Sequence, residues 1–295
     1  MWRCRSSSSS RPFVTRTPRC APTSWASSCA RRSRTTFSFS LRLRKSAISG
    51  RRFTGISGAA QRSGPGSSRF GKLKIVPAGR LSGLQVRVLR VLAGVRPRWS
   101  LTGGGALVGV HTGHRETRDL DLFWRRRGEL GDLPREVADL LRSDGLVVET
   151  MQRTPAFYRF GVTGGEDTVL LDLVAEPVPA VEEPREVVVE GATILVDTPH
   201  EIFVSKLCTL LERSELRDLQ DVRVLLEGGE DLERALREAP SKDAGFSPLT
   251  LAWVLRQMSI STLVRVGGLS HKESMDLERF RDELVERITA LASPE

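Results

Sequence analysis

The sequence predicts a mixed α+β fold, in which a small mixed sheet flanked by helices is followed by an all-helical carboxyl-terminal region. Two pairs of short β-type segments, each separated by turn residues, indicate β-hairpins. Helical patterns alternate with the earlier strands, and everything after residue 196 has helical periodicity. The order of the elements is therefore α/β first and all α afterwards.

The first half of the chain alternates between helix and strand. A helix starts near Leu81, because leucine and valine recur at helical spacing until Pro97 ends the pattern. A strand at 99–102 leads into a glycine turn and a short helix, and a second strand follows at 119–123. The next helix opens at Asp132, has a proline in its first turn and ends at a glycine.

Three further strands and a second hairpin complete the predicted sheet. Strands near 146–153, 156–162 and 168–176 come first, and a Thr-Gly-Gly-Glu-Asp turn joins the last two. A second hairpin, 187–189 and 193–196, turns at a Glu-Gly pair. Helices are predicted from Thr198 onward and around 231–239, 247–258 and 274–291.

The basic charge of the chain is confined to its amino-terminal part. Residues 1–70 contain 15 Lys and Arg and no Asp or Glu, which leaves 30 basic against 36 acidic residues and a charge of −6 after them. The net charge of +9 therefore does not indicate a basic binding face in the folded part. Residues 1–70 are predicted to be a disordered tail; a targeting leader, an upstream start codon and a non-specific RNA-binding segment are the alternatives.

We expect three regions: the tail 1–70, a core 71–197 and a helical domain 198–295.

Three of the four cysteines lie in the tail, and the fourth, Cys208, is predicted to be a buried side chain in a helix and not a nucleophile. No apolar run approaches the roughly 18 residues that a membrane span needs. We therefore expect a soluble, cytoplasmic protein without membrane contact.

Three aspartates are the strongest candidates for chemistry. Asp119 and Asp121 are two apart on a predicted strand, so both carboxylates lie on one face. At about 4 Å and an effective dielectric near 20, two such charges repel by roughly 4 kcal/mol, which bound divalent cations reverse. Asp172 lies within another apolar strand, and if the two strands are neighbours the three acids form a site for two Mg²⁺ ions. In that site Asp172 would bind the second ion and help to deprotonate an attacking hydroxyl, giving a nucleotidylated acceptor and pyrophosphate.

A glycine turn precedes this strand. Gly103, Gly104 and Gly105 feed the start of a short helix, where free backbone N–H groups and close approach favour a phosphate. Three glycines alone are more often a flexible turn, so the phosphate-binding prediction depends on the aspartate strand that follows. Arg115, between the turn and the strand, is a further candidate for nucleotide binding.

The predicted helix from Thr198 carries a charged stripe. Its start fits a capping box with proline at the first helical position. In an unbroken helix one face would carry Lys206, Arg213, Arg217 and Asp221. This stripe is either a solvated face laced with ion pairs or a cationic surface for a triphosphate, on which Asp218 or Asp221 holds an arginine. A break at Ser214 would remove the stripe.

These segments resemble the AbiEii/AbiGii toxin family of nucleotidyltransferases, within the DNA polymerase β-like superfamily. The resemblance spans most of residues 80–230. It rests on GGGAL at 103–107, HRETRDLDLF at 114–123, the lone Asp172 and KLCTLLERSELRDLQD at 206–221, in the family's order.

The resemblance implies a role for each of these segments. Asp119 and Asp121 would be the metal-binding pair and Asp172 the third acid. Gly103 and Gly104 would form the phosphate turn, while Lys206 with Asp218 or Asp221 would match the later motifs. One departure is that Gly104 stands where the wider superfamily has serine, and Gly105 where this family commonly has threonine, so hydroxyl contacts to phosphate are lost and backbone contacts remain.

The predicted function is metal-dependent transfer of a nucleoside monophosphate from an NTP to an acceptor hydroxyl, with release of pyrophosphate. The resemblance implies a toxin of a toxin–antitoxin pair that acts on a tRNA end and has a cognate antitoxin as partner. A protein or small-molecule hydroxyl is the alternative acceptor. The arginine-rich segment 87–98 is the best candidate for a local RNA-binding patch. Two other hypotheses are a nucleotide-binding regulatory protein without turnover and an RNA-binding module that works through the tail.

Overall fold

An eight-stranded mixed sheet forms the centre of the protein in the computed structural model, which describes residues 74–75, 81–260 and 270–293. The predicted tail, residues 1–70, lies outside the described residues. The strands are β1 (Lys74–Ile75), β2 (Ser100–Thr102), β3 (Asp119–Arg125), β4 (Val147–Arg153), β5 (Phe157–Gly164), β6 (Asp167–Glu176), β7 (Arg185–Val189) and β8 (Ala192–Val196). Their order across the sheet is β1-β7-β8-β2-β3-β6-β5-β4.

Both predicted hairpins are present in this sheet. Strands β5 and β6 pair antiparallel around Gly165, and β7 and β8 pair antiparallel around Glu190 and Gly191, both of which have positive φ angles. The centre of the sheet pairs β3 with β2 antiparallel and with β6 parallel. The predicted neighbourhood of the two aspartate-bearing strands is therefore confirmed.

Helices cover the sheet and extend beyond it. They are α1 (Gly83–Leu92), α2 (Gly103–Ala106), α3 (Leu133–Ser143), α4 (Pro199–Glu212), α5 (Leu216–Glu227), α6 (Leu232–Lys242), α7 (Pro248–Gln257) and α8 (His271–Ala292). Helix α2 continues directly into a π-helical segment, Leu107–Thr112, which ends at Gly113 in the left-handed conformation. The mixed α+β fold and the all-helical carboxyl-terminal region are as the sequence predicted.

The apolar side chains of the central strand β3 lie on one face of the sheet. Leu120, Leu122 and Trp124 alternate along β3 with more exposed residues and are fully buried. Helix α1 contacts this sheet and also α3, which buries an apolar face of its own. Ser82 caps α1 and forms a reciprocal capping box with Gln85. The polar residues of the central strands are thereby left on the opposite face of the sheet.

The carboxyl-terminal helices pack around α4, which contacts α5, α6, α7 and the π-helical segment. The long helix α8 packs on α7. All described residues belong to one compact unit, 68–295, and the division into a core 71–197 and a helical domain 198–295 stays a prediction. Within the described ranges, every helix is too short or too polar to cross a bilayer.

The structure differs from two predictions for the helix that starts at Thr198, namely its charged stripe and its capping box. Arg213 leaves the helix with an extended backbone and α5 starts only at Leu216, so the chain breaks at Ser214 and the four-residue stripe of one unbroken helix does not form. Thr198 does cap α4, but Glu201 does not complete the capping box. Its carboxylate accepts instead from the Val181 backbone N–H at 2.8 Å and pairs with buried cations.

Candidate active site

Four polar side chains form a row across four neighbouring strands. The register places Thr102 opposite Asp121, Asp121 beside Asp172, and Asp172 opposite Arg159. Residues paired in this way point to the same face of a sheet, with Cβ atoms roughly 5 Å apart. Asp119 precedes Asp121 by two residues and shares that face. The structure thus brings the three predicted acids together and adds an arginine.

Asp119 and Asp121 differ from Asp172 in having no partner among the residues that the structure describes. Neither carboxylate makes a hydrogen bond or an ion pair within the described part of the chain, and both side chains are only partly exposed. Burial raises the pKa of Asp121 to about 7, and the negative charges of Asp172 and Asp119 add to this effect. The two carboxylates therefore form a concentrated negative site that a cation would relieve.

The glycine turn is shaped around Asp121. Gly103 has a φ of +57°, and a Cβ atom there would overlap the Asp121 carboxylate, so glycine is required on two grounds. Beside Gly104, an added Cβ would lie 3.1 Å from Thr117 Oγ1 and 3.4 Å from Arg115 Nη2. The space next to Gly104 is thus lined by a hydroxyl and a guanidinium from another loop.

Gly105 faces the sheet. It is buried, and a Cβ atom there would lie 3.2 Å from both the Asp119 carbonyl oxygen and Leu101 Cδ1. A larger residue would press on both strands that carry the site. Gly105 was a predicted nucleotide-binding residue, and its surroundings show a role in packing α2 against the sheet.

A cluster of ion pairs joins helices α4 and α5 to the aspartate face, the face of the sheet that carries Asp119 and Asp121. Its members are Arg115, Lys206, Arg213, Asp218 and Asp221. Lys206 Nζ lies 2.6 Å from Asp218 Oδ1 and 2.7 Å from Asp221 Oδ2, and Arg213 Nε lies 3.1 Å from Asp218 Oδ2. Arg115 forms a fork with Asp221 through two contacts of 2.9 Å. Both aspartates and Lys206 are buried. Four of the predicted nucleotide-binding residues are therefore tied together by charge, although one unbroken helix does not carry them.

His114 is the other partner of this cluster. Its Nε2 atom lies 2.9 Å from Asp221 Oδ1. Burial opposes ionisation of Asp221, but the hydrogen bonds from His114 and Arg115 and the charge of Lys206 hold its pKa well below the usual range. Although burial acts in the opposite direction, Asp221 and Asp218 raise the pKa of Lys206. Asp221 and Lys206 therefore both stay charged, and the Lys206 ammonium is fixed next to the aspartate face.

Arg217 stands apart from this cluster. Its side chain is exposed, and no partner is found for it among residues 81–260 and 270–293. The break at Ser214 explains the difference, because Asp218 and Asp221 lie on the buried side of the separate helix α5 and Arg217 on its exposed side. A role of Arg217 in nucleotide binding therefore stays a prediction.

Sequence reasoning missed Arg159. Its guanidinium donates to Asp172 through Nε at 2.7 Å and Nη2 at 2.6 Å. A signal was available, because a two-residue turn at Gly165 and Glu166 sets the register of the β5–β6 hairpin and pairs Arg159 with Asp172.

A second buried ionic group braces the far end of the same face. Arg125 pairs with Asp197 and, at 2.8 Å, with Glu201, which also pairs with Lys242. These contacts join the end of β3 to the start of α4, so the helical region is held against the sheet at two places. The group is structural, because its carboxylates are already neutralised by cations.

Two other sequence predictions can be compared with the structure. Burial raises the pKa of the Cys208 thiol to about 12, which agrees with the predicted packing role. In the segment 87–98, Arg87 pairs with Asp144 at 2.7 Å and Arg98 with Glu186 at 2.8 Å. Half of the arginines of the predicted RNA-binding patch are thus already paired with acids.

Comparison with protein-family models gives a match over residues 87–291, to the family described as "Nucleotidyl transferase AbiEii toxin, Type IV TA system". The chain belongs to this family. The match covers all the elements that build the aspartate face and the ion-pair cluster. The protein is accordingly an AbiEii-type nucleotidyltransferase, and the family resemblance predicted from its motifs is confirmed.

The chain is also similar to several solved structures. The nucleotidyltransferase toxin MenT4, Rv2826c, from Mycobacterium tuberculosis H37Rv is 17% identical, with a TM-score of 0.44 over 71% of this chain and 91% of that chain. JHP933 from Helicobacter pylori is 19% identical, with a TM-score of 0.42 over 69% and 89%. A putative nucleotidyltransferase from H. pylori is 18% identical, with a TM-score of 0.43 over 72% and 100%. Comparison with curated proteins gave no match.

Proposed function

We propose that this AbiEii-type protein transfers a nucleoside monophosphate from an NTP to a hydroxyl at an RNA end, with a divalent metal ion bound at Asp119 and Asp121. The observation that carries the proposal is that these two carboxylates have no partner among the described residues, in a site where Asp172, Asp218 and Asp221 are each paired with a cation. Two unpaired carboxylates on one face are costly unless a cation neutralises them.

The donor set fits a hard divalent cation such as Mg²⁺. Both ligands are carboxylate oxygens, and Mg²⁺ is commonly held by one or two carboxylates together with substrate phosphates. When bound there, the ion would supply charge neutralisation and polarisation at the phosphate that is attacked. The pKa of Asp121, about 7, adds a condition, because its proton must leave before it becomes a ligand.

The remaining residues of the site bind and orient the triphosphate in this proposal. Lys206, Arg115 and Arg213 are held by ion pairs at the edge of the aspartate face, and such fixed cations stabilise developing negative charge. Gly103 lets the backbone approach the phosphates beside Asp121. With Gly104 in place of serine, the hydroxyl nearest to that position belongs to Thr117.

The acceptor and the cellular role are inferred from the family. Because the family is that of type IV toxins, we propose that the protein acts in the bacterial cytoplasm and has a cognate antitoxin. A tRNA end is the proposed acceptor. The folded part has a net negative charge, so RNA would be held through a few local contacts and not through a broad basic face.

The test is a transfer assay with the full-length protein, each labelled NTP in turn, Mg²⁺ and total bacterial RNA. We expect label in tRNA-sized RNA, complete dependence on Mg²⁺, and loss of at least about a hundredfold in rate for Asp119→Asn/Asp121→Asn. Asp167→Asn, an exposed aspartate of the same sheet, is the matched control and should keep full activity.

Each alternative has its own outcome in this assay. Label on protein or on a small molecule would replace RNA as the acceptor. Metal-dependent NTP binding without any transfer would favour the regulatory nucleotide-binding protein. Transfer that survives in the double variant would contradict the proposed site.

A further inference from the structure

The contact between Arg159 and Asp172 occupies the third acid of the site completely. The two N–H donors of the guanidinium edge each take one carboxylate oxygen, at 2.7 Å and 2.6 Å, in the parallel fork geometry that makes such pairs strong. Asp172 is 6% exposed, so little solvent competes for it. Cross-strand pairing in the hairpin fixes both side chains at the same level of the sheet.

Asp172 therefore differs from Asp119 and Asp121 although all three lie on one face. Its two oxygens are engaged by a permanent positive charge, whereas theirs have no partner in the described ranges. Within those ranges, no group of three or more metal-binding side chains is placed to hold one ion. A metal ion at Asp172 would have to displace Arg159 from a nearly buried carboxylate, which separates a strong charge pair.

We infer that Arg159 is a resident cation of the active site, so that this protein binds one divalent ion, at Asp119 and Asp121, and Asp172 is a positioning residue for Arg159. The inference rests on the proposed metal site and replaces the two-ion site with three aspartate ligands that the sequence predicted. The positive charge that a second ion would contribute comes from the guanidinium instead.

Arg159 also keeps donors for a substrate. Its side chain is 39% exposed, and the fork uses only Nε and Nη2, which leaves Nη1 without a partner in the described chain. Asp172 lies beside Asp121 in the strand register and opposite Arg159, so the fork holds the guanidinium on the face that carries the proposed ligand. A guanidinium that is fixed beside the proposed metal site and has a free N–H donor is suited to bind a phosphate oxygen of the nucleotide.

The test counts Mn²⁺ ions bound to the full-length protein by electron paramagnetic resonance of the free ion. Three variants are compared with the unmodified protein. Arg159→Gln frees the Asp172 carboxylate, Arg159→Gln/Asp172→Asn removes the pair without changing the net charge, and Asp121→Asn removes a proposed ligand. Circular dichroism confirms that each variant is folded.

We expect one bound Mn²⁺ in the unmodified protein. The charge-neutral double variant should bind one ion with a dissociation constant within about threefold of the unmodified value, because Asp172 is not a ligand. Arg159→Gln should gain a second ion, or bind the first at least about tenfold more tightly, because an unpaired carboxylate joins the site. Asp121→Asn should lose binding.

Two results would overturn the inference while leaving the proposed function intact: two ions in the unmodified protein, or a loss of about tenfold or more in the double variant. Unchanged binding in Arg159→Gln would also overturn it. No Mn²⁺ binding in the unmodified protein, or binding that Asp121→Asn does not affect, would instead refute the proposed metal site and this inference with it.

Discussion

Replacing Asp121 by asparagine should make the metal-free protein more stable at alkaline pH and inactive at every pH. Burial, together with the charges of Asp172 and Asp119, raises the pKa of Asp121 from 3.8 to about 7. A group whose pKa is higher in the folded than in the unfolded state stabilises the fold while it is protonated. That contribution is complete below about pH 4, falls as the pH rises toward 7, and is absent above it.

The magnitude follows from the size of the shift. The difference between a pKa of 3.8 and one of about 7 corresponds to roughly 4 kcal/mol as an upper bound, of which about 2 to 3 kcal/mol is lost between pH 5 and pH 8. Asparagine has the same shape without the charge, so the variant should lack this loss. The free energy of unfolding in urea, measured in excess EDTA at several pH values, gives the difference between the two proteins.

Metal addition provides the second half of the measurement. Mg²⁺ should restore the stability of the unmodified protein at pH 8, because it neutralises the ionised carboxylate, and should have no effect on Asp121→Asn. Asp167→Asn, at an exposed position, should follow the unmodified protein throughout. Parallel pH profiles for Asp121→Asn and the unmodified protein would show that Asp121 is ionised without cost, and the reasoning from its burial would then be wrong.

Three other substitutions test the rest of the site. Lys206→Met should lower the free energy of unfolding in urea by about 3 to 5 kcal/mol, because its two aspartate partners stay buried with fewer cations; a loss below about 1 kcal/mol would contradict this. Gly103→Ala should destabilise by about 1 to 3 kcal/mol and abolish Mn²⁺ binding, because the new methyl group displaces Asp121; unchanged binding would refute the close approach. Arg217→Ala, at an exposed position without a partner in the described chain, should change the melting temperature by less than about 2 °C and weaken NTP binding in isothermal titration; unchanged affinity would remove Arg217 from the site.

Local sequence signals predicted the elements because each depends on neighbouring residues. The Glu190–Gly191 turn specifies a hairpin through positive φ angles, and the start of α4 follows from the Thr198 cap. Alternation along β3 placed Asp119 and Asp121 on one face before any tertiary contact was known. These relations span a few residues, so sequence spacing alone carries them.

Ion pairs between segments far apart in the sequence could not be predicted in the same way. Arg115 and Asp221 are separated by 106 positions, and their fork forms only because α5 returns to the aspartate face. The stripe predicted on one helix failed for the same reason: it assumed that Arg213 continues α4, whereas the chain turns there. An ion pair between distant segments depends on how the elements pack, which local periodicity does not encode.

The sequence by itself determined the family, most of the helices and strands in their order, and the three aspartates of the candidate site, since motif spacing and alternation are properties of the chain. Only the tertiary structure decided which acids are available to a metal. It left Asp119 and Asp121 without partners in the described residues, whereas the local register of the β5–β6 hairpin paired Asp172 with Arg159. The physical reason is that burial and charge pairing are set by which strands and helices meet, and the same aspartate is a ligand or an anchor according to the cation beside it.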